Sequence, residues 1–519
     1  MVDRGQLSLS LLRRRAETEP DRPFVIDGVQ GQQTYGEFHL STLRWAQVLE
    51  QMGVNRGEPV ASLLPNSIDA LRGWLGAGWL GAVHVPLNTE LIARPLIHAL
   101  NLATARILIT TSAFLPQIER VQGELSDLKT VVVLDTVDQA PSPLTVLPAS
   151  DLLAAATPLD RPDPQPTDIH AGIFTSGTTG QSKCALVTWG TLEDSGRWLL
   201  PTSSIEERHT GAYYNPWPDY HALGLAGFPA AVQRGLRLVL RPTFSVGDFW
   251  KDIRTHECTH TVLLVTAPLL LDQPVADDDG HNPLEHVTIV PATGRVNEFQ
   301  QRFAVRTGSI YGMTETGPII YTDRAAEHQG GGCPVPGLEL EIRTSDDRIA
   351  EPNQLGQLVV RPEAAWRLSK SYLGLPEEMG KRWQDGWFHT GDAFVLDPDD
   401  RYHFVDRLKD CVRTRGHNVS SIEVEVEVGS HPAVFDCACV GVQSDSAFGE
   451  EDIMIYVVPR PGGSLDEADL HRYLTERLPR FMLPRFIELV PDLPRTPTLK
   501  VRKDILRSLG PTASAWVSG

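Results

Sequence analysis

Apolar residues recur along this chain at two alternating periods. Across 35–60 the stretch TYGEFHLSTLRWAQVLEQMG carries them every three or four positions, which predicts a helix, and PVASLLP behind it predicts a short strand. IDALRGWLGAGWLGAVHVPL reads as a helix running into a buried strand, and ARILIT and KTVVVLD are further strands spaced by helical segments. Strands alternating with helices predict an α/β fold with a mostly parallel sheet. The Pro-rich DLLAAATPLDRPDPQPTD reads as a connector that delivers the chain to the strand HAGIF. A second α/β stretch covers roughly 210–320, with RLVLRP and HTVLLVTAP as strands and SVGDFWKDIRTHE as the helix between them. From about 335 to 405 the pattern turns β-rich, in GLELEIRT, GQLVVRP and RYHFVDR. A compact segment of about 110 residues follows DRLKD, with EVEVEVGSHPAV and DEADLHRYLTERL as helices and CACVGV and EDIMIYVVP as strands. It reads as a small α+β domain behind a large α/β one, the division that 519 residues call for.

One stretch fits neither period. FTSGTTGQSKCALVT places Thr175, Ser176, Gly177, Thr178, Thr179, Gly180, Ser182 and Lys183 almost without interruption between two apolar runs. Its glycines let the backbone approach a ligand, its hydroxyls are compact donors, and its lysine is a point charge suited to phosphate. A Walker A loop has Gly directly before Lys and a hydroxyl directly after. Here Ser182 precedes Lys183 and Cys184 follows it, so the loop is a different phosphate cradle or a solvated turn.

Composition narrows the classes. Hydrophobic residues make up 41% of the chain, and 43 Gly and 39 Pro fit a globular enzyme. A formal net charge of −19 argues against nucleic acid or an anionic membrane as a main partner. The six cysteines are scattered without a C-x-x-C pair, and Cys437 and Cys439 lie in an apolar strand where packing is expected. The first residues lack a signal-peptide core, and no run approaches the ~20 apolar residues of a membrane span. The expectation is a cytoplasmic protein without a membrane or nucleic-acid partner, monomeric or homodimeric.

Further stretches complement the cradle: IYGMTETGPI with Tyr311, Gly312, Thr314 and Glu315; GWFHTGDAF with Asp392; DRLKDCVRTRGHNVSSIEVE with Arg407 and Lys409; and LPRTPTLKVRK with Lys500. In this order they resemble the adenylate-forming superfamily of acyl- and aryl-CoA ligases, luciferases and peptide-synthetase adenylation domains. RTRGHNVSSIEVE and LPRTPTLKVRK most resemble its carnitine/crotonobetaine-CoA ligase-like branch, and the resemblance spans nearly the whole chain. It implies a large domain over 1–407 with the ATP and substrate pocket, a hinge at 408–409 and a small mobile domain over 410–519. It implies ATP and Mg²⁺, with the 175–183 loop on the β- and γ-phosphates, Glu315 at the metal and Thr314 beside the α-phosphate. Tyr311, Thr293 and Gly294 fall to adenine, Asp392 to the ribose hydroxyls, and Arg407 to ribose or phosphate. Lys409 matches the hinge, and Lys500 the catalytic lysine bridging carboxylate and α-phosphate.

The chain departs from the family pattern at three places. Cys184 stands where the family has Gly, with packing the expected reason, and Leu499 replaces the Gly before the catalytic lysine. Lys503, three residues past Lys500, is the position with which Lys500 could be confused. VPATGRV departs from the Gly-rich turn usual before the adenine site. In the acid-binding stretch with Trp217, His221 keeps the family's histidine, while Asp219 and Tyr220 bring polarity where apolar residues are common; an Asp219 facing the pocket favours a polar or amine-bearing substrate, and one facing solvent says nothing. The expected activity is adenylation of a small aryl or polar acid followed by transfer to CoA. A diazotase that couples nitrite to an aryl amine shares the same ATP constellation, and a nucleotide-binding sensor without catalysis is the third class.

Overall fold

The computed structural model describes residues 7–518 apart from 137–142, 159, 176–181, 201–209, 265, 293–294, 365, 370, 415–416, 445–450, 463 and 497–499. Ser176, Gly177, Thr178, Thr179, Gly180, Thr293, Gly294 and Leu499 therefore lie outside the described residues. The chain divides into two compact units: one runs to Thr175 and includes Ser182–Glu339 and Pro362–Trp383, and the other includes Leu340–Arg361 and runs from Gln384 onward.

Among the described residues, the first unit is built on two large sheets. One has seven strands in the order Thr145–Pro148, Thr130–Val133, Ile107–Thr110, Pro59–Leu63, Val83–Pro86, Ile169–Thr175 and Lys183–Thr188. Its neighbours pair in parallel until the last, which folds back antiparallel. The other has nine strands, parallel from Pro23–Asp27 across to Arg306–Met313, with antiparallel strands at both edges. Buried parallel strands read as near-continuous apolar runs, as ILIT and TVVV do. Helices fill the layers. Tyr35–Gln51 opens with a capping box, in which Thr34 accepts from the Glu37 N–H and Glu37 reaches back to the Thr34 N–H. Ile68–Leu80 buries nearly every position, and its Trp74 stacks on Trp189 with ring centroids 6.1 Å apart. The helix Ser8–Thr18 is anchored at its start by Glu193, whose buried carboxylate accepts from the Ser8 N–H at 2.7 Å and from the Ser8 hydroxyl.

The second unit holds an antiparallel sheet in which Trp387–Leu396 pairs with Gly356–Pro362 and Tyr402–Arg407. Beyond it lies a four-stranded sheet, Val434–Gln443, Glu451–Pro459, Phe486–Leu489 and Trp516–Val517. The helices Ser421–Gly429 and Glu467–Thr475 supply one of its two apolar clusters, and Lys503–Leu509 contributes to the other through Leu506. No helix among the described residues is long and apolar enough to cross a membrane.

Candidate active site

The strands on either side of the Gly/Ser/Thr run, Ile169–Thr175 and Lys183–Thr188, pair antiparallel. Thr175 faces Lys183 across the pair, and its hydroxyl donates to the Lys183 carbonyl at 3.3 Å. Strand alternation then settles which way the lysine points. Cys184 turns into the core, fully buried, its thiol pushed up to about 12 by burial, so Lys183 faces the opposite side. A Cβ at Gly172 would lie 2.8 Å from the Cys184 sulfur, so the cysteine fills the space that the glycine leaves. Cys184 is a packing residue, far from the low-pKa environment of a reactive thiol.

The outer edge of the Lys183 strand is covered by residues 371–373. The Leu186 N–H donates to the Ser371 carbonyl at 3.0 Å, and the Leu373 N–H donates to the Cys184 carbonyl at 2.7 Å. Tyr372 thereby lies opposite Ala185. Its ring is 5.5 Å from the Lys183 ammonium, and its hydroxyl donates to Glu315 Oε1 at 2.6 Å. Burial, with the Glu315 charge behind it, pushes the Tyr372 phenol upward, so it stays a donor. The Lys183 ammonium also donates to Glu378 Oε2 at 2.6 Å.

Glu315 sits in the turn between Arg306–Met313 and Gly317–Thr322 and is 5% exposed. Its carbonyl accepts from the Ser369 N–H at 2.6 Å. The same turn carries Thr314, half-buried, and follows Tyr311, which pairs with Ile320 just before a register shift. The shift requires glycine at 312, where a Cβ would stand 2.2 Å from the Gly317 carbonyl oxygen. Lys183, Glu315 and the Tyr311–Thr314 turn are thus parts of one constellation, joined by Tyr372. Among the described residues there is no group of three or more His, Cys, Asp or Glu able to hold a metal ion. Mg²⁺ carried on a triphosphate needs one or two carboxylates besides phosphate oxygens and water. Glu315, buried and held at one oxygen by Tyr372, fits that requirement.

The acid-binding candidates divide by what their polar atoms do. Trp217 donates its indole N–H to the Val262 carbonyl at 2.7 Å and stacks on Phe244. His221 caps the helix Ala222–Arg234, its Nδ1 accepting from the Leu223 N–H at 3.2 Å. Tyr220 is half-buried, its phenol pushed up to about 12 by burial. Asp219 is 7% exposed, so it does not face solvent, and its Oδ2 has no hydrogen-bond partner among the described residues. It borders a small cavity lined by Asn66, Leu71, Trp74, Asn215 and Phe228 among others, and burial pushes its carboxyl up to about 7.

In the second unit, Asp392 and Arg407 are register partners on neighbouring strands, and the guanidinium stands 3.7 Å from the carboxylate. Gly391 beside them takes a φ of +76°, and its carbonyl accepts from the Leu408 N–H. The turn that follows contains Lys409, which is exposed. Arg507 of the helix Lys503–Leu509 donates to the Lys409 carbonyl at 3.2 Å and pairs with Asp410 at 3.0 Å. Lys500 is exposed, and its backbone exchanges bonds with Thr496. Lys503 is held inside the unit, at 2.5 Å from the Ser421 hydroxyl and 2.8 Å from Glu425. Asp406 accepts from the Ser421 N–H at 2.8 Å and completes this buried ionic cluster.

Sequence reasoning missed Tyr372, Glu378, Glu425 and Arg507. SYLGLPEEMGK, the alternating IEVEVEV and KDILRSL contained them, but only the fold brings the first two to Lys183, the third to Lys503 and the last to the Lys409 turn.

A fold of this kind, with a carboxylate and a lysine joined through a tyrosine, matches known proteins along nearly its whole length. The AMP-binding enzyme family model matches residues 12–373, and the model of the AMP-binding enzyme C-terminal domain matches 423–500, so the chain belongs to that family. It is an ATP-dependent adenylate-forming ligase, and its curated relatives include crotonobetaine/carnitine–CoA ligases. A crotonobetaine/carnitine–CoA ligase of Salmonella arizonae is 28% identical, over 91% of this chain and 93% of the relative. Its namesake from Escherichia coli strain K12 is also 28% identical, over 92% and 94%. Among solved structures, an anthranilate CoA ligase in complex with anthranoyl-AMP superposes with a TM-score of 0.85 at 23% identity, covering 97% of both chains. The Bacillus subtilis o-succinylbenzoate CoA synthetase in complex with ATP and magnesium gives 0.80 at 24% identity, covering 95% of this chain and 98% of the other. At these identities the superpositions speak for the fold.

Proposed function

We propose that the protein activates a compact polar or aryl carboxylic acid as its acyl-adenylate, with release of pyrophosphate, and passes the acyl group to CoA. The observation that carries the substrate half is the open oxygen of Asp219. A carboxyl more than nine-tenths buried, without a partner at Oδ2 among the described residues, is costly unless something brings it a donor. An acid bearing an amino or other donor group at its far end supplies one, through a charge-assisted bond. The curated relatives are named for crotonobetaine and carnitine, compact polar acids rather than long-chain ones.

For the chemistry, the acid's carboxylate attacks the α-phosphorus of ATP, and pyrophosphate leaves in line. Alignment and neutralisation of charge do the work in such a displacement. Lys183 and the loop before it take the β- and γ-phosphates, and Thr314 takes an α-phosphate oxygen. Glu315, oriented by Tyr372, would hold Mg²⁺, which when bound neutralises phosphate charge. Asp392 accepts from the ribose hydroxyls, with Arg407 beside it. Lys500 bridges the incoming carboxylate and the α-phosphate, a positive charge worth most in the transition state. The turn at Leu408–Lys409 serves as the hinge between adenylation and transfer, and Arg507 braces it. Lys409→Pro, which restricts φ, should impair transfer more than adenylation.

The decisive experiment measures ATP-dependent pyrophosphate release with aliphatic acids, aryl acids and amino-substituted acids, with and without CoA, and with nitrite plus an amino-aryl acid. The proposal expects a compact acid to release pyrophosphate and to yield a thioester when CoA is present. Preference for long-chain fatty acids removes the substrate reading. Turnover of nitrite and an aryl amine without any thioester replaces the acceptor with an amine.

A further inference from the structure

We propose that Glu378 is the resident counter-anion of Lys183, a positioning residue that sets the enzyme's affinity for the polyphosphate of its nucleotide by giving up the lysine to phosphate oxygens. The inference rests on the reading of Lys183 as a phosphate ligand. Glu378 belongs to the short helix Pro376–Gly380, which follows the segment that lays Tyr372 beside the Lys183 strand. Its Oε2 takes the Lys183 ammonium at 2.6 Å, and its Oε1 takes the ammonium of Lys381. One carboxylate is thus shared by two cations. The hydrogen bonds from Lys183 and then Lys381 hold the carboxylate down at about 2, so the anion is present at every working pH.

The arrangement suits exchange rather than permanent pairing. Lys183 is 31% exposed and Glu378 25%, so water screens the pair and its separation costs little. The Lys183 stem is a flexible four-carbon chain ending in a point charge, free to leave one oxygen for another. When it leaves, Lys381 still neutralises Glu378, and no buried charge is stranded. Tyr372 keeps its bond to Glu315 throughout, so the metal-binding carboxylate is undisturbed by the swap. In the nucleotide-free enzyme Glu378 therefore does what the phosphates do later: it presents oxygen to Lys183 and fixes its direction. It also competes with them, which lowers affinity and hastens release of the pyrophosphate product.

The competition predicts opposite effects from two neighbouring substitutions. Glu378→Gln removes the competing charge and should tighten ATP binding about two- to fivefold, the scale of a partly exposed ion pair. Lys381→Ala leaves the whole Glu378 charge on Lys183 and should weaken ATP binding by a similar factor. AMP, which lacks the two outer phosphates, should bind all three proteins alike. The effects should shrink in about 0.5 M salt. Calorimetric titration of the full chain with ATP and with AMP, in the presence of Mg²⁺, reads all of these. Unchanged or weaker ATP binding in Glu378→Gln, or shifts of the same sign in both variants, overturns the proposal. A parallel titration of Lys183→Ala separates it from its premise. If that variant binds ATP as well as the native enzyme, the phosphate reading of Lys183 falls; if it binds more weakly while Glu378→Gln does not tighten, only the role of Glu378 falls.

Discussion

Asp219 shows how one side chain ties substrate choice to stability. Burial raises its folded-state value to about 7, above that of an unfolded aspartate, so the folded chain holds a proton there that the unfolded chain has lost. The sign follows from linkage: the stabilising protonated form is fully present at low pH and is lost as pH rises through about 7. Asp219→Asn should therefore raise the melting temperature at about pH 8, and the gain should vanish toward about pH 4. The same variant should raise KM for amino-substituted acids about tenfold while leaving unsubstituted ones little affected. A melting temperature that responds equally at both pH values would show that the carboxyl is solvated after all. Residue type alone could single out Asp219, because an acid in an apolar stretch is conspicuous. It could not tell pocket, core and solvent apart, since all three depend on which way the loop after Ala212–Asn215 turns.

At the scale of elements, the second unit shows both what was legible and what was not. EVEVEVGSHPAV reads as a helix although its valines alternate with the period of a strand, and the helix Ser421–Gly429 bears this out. Ser420 caps it by accepting from the Glu423 N–H, and Val424 and Val428, four apart, are buried, while Ile422 and Val426 are left exposed. Strand pairs were readable from their apolar runs. The ionic cluster of Asp406, Glu425 and Lys503 was not, because its members come from a strand and two different helices. That cluster separates two lysines three residues apart. Lys503→Met strands a buried carboxylate and should cost about 3–5 kcal/mol, seen as an earlier unfolding transition. Lys500→Ala should leave that transition in place and slow adenylation by roughly 10²–10³-fold. If the two variants exchange phenotypes, the catalytic lysine is Lys503.

Over the whole molecule, acid should be the more damaging direction. His84, His170 and His286 are buried, with burial pushing each down to about 3, and His39 goes down to about 4 for the same reason. All four stay neutral in the folded chain while the unfolded chain protonates them near its ordinary value. Stability from this source is complete above about pH 6.5 and is lost as pH falls toward 3–4, at about 1.4 kcal/mol per pH unit for each excess proton bound on unfolding. Asp219 and Glu193, both pushed up to about 7 by burial, act the other way, as do Asp194, Glu423 and Glu425, but burial also pushes His389, His431 and His471 down, so the imidazoles outnumber the carboxyls. Thermal melts should therefore show a maximum near neutrality and a steep fall between about pH 6 and 4. A flat profile there would mean that these imidazoles reach water. The motif order along the chain was enough to recognise the family and the large-and-small division. Such an acid profile could not be read from it, because sixteen histidines look alike until the sheets decide which are enclosed.

The contact between Gly172 and Cys184 carries an evolutionary consequence. The two positions share one space across a strand pair: an added methyl at 172 would meet the sulfur at 2.8 Å. They should therefore drift as a couple among descendants of this enzyme, a larger residue at one site appearing with a smaller one at the other. In the laboratory the same bargain is a double-mutant cycle. Gly172→Ala should destabilise the native chain by about 1–3 kcal/mol through overpacking, and Cys184→Gly in the same chain should recover most of the loss. Additive losses would mean that the two sites vary independently, and that the residue after the cradle lysine is free to change on its own.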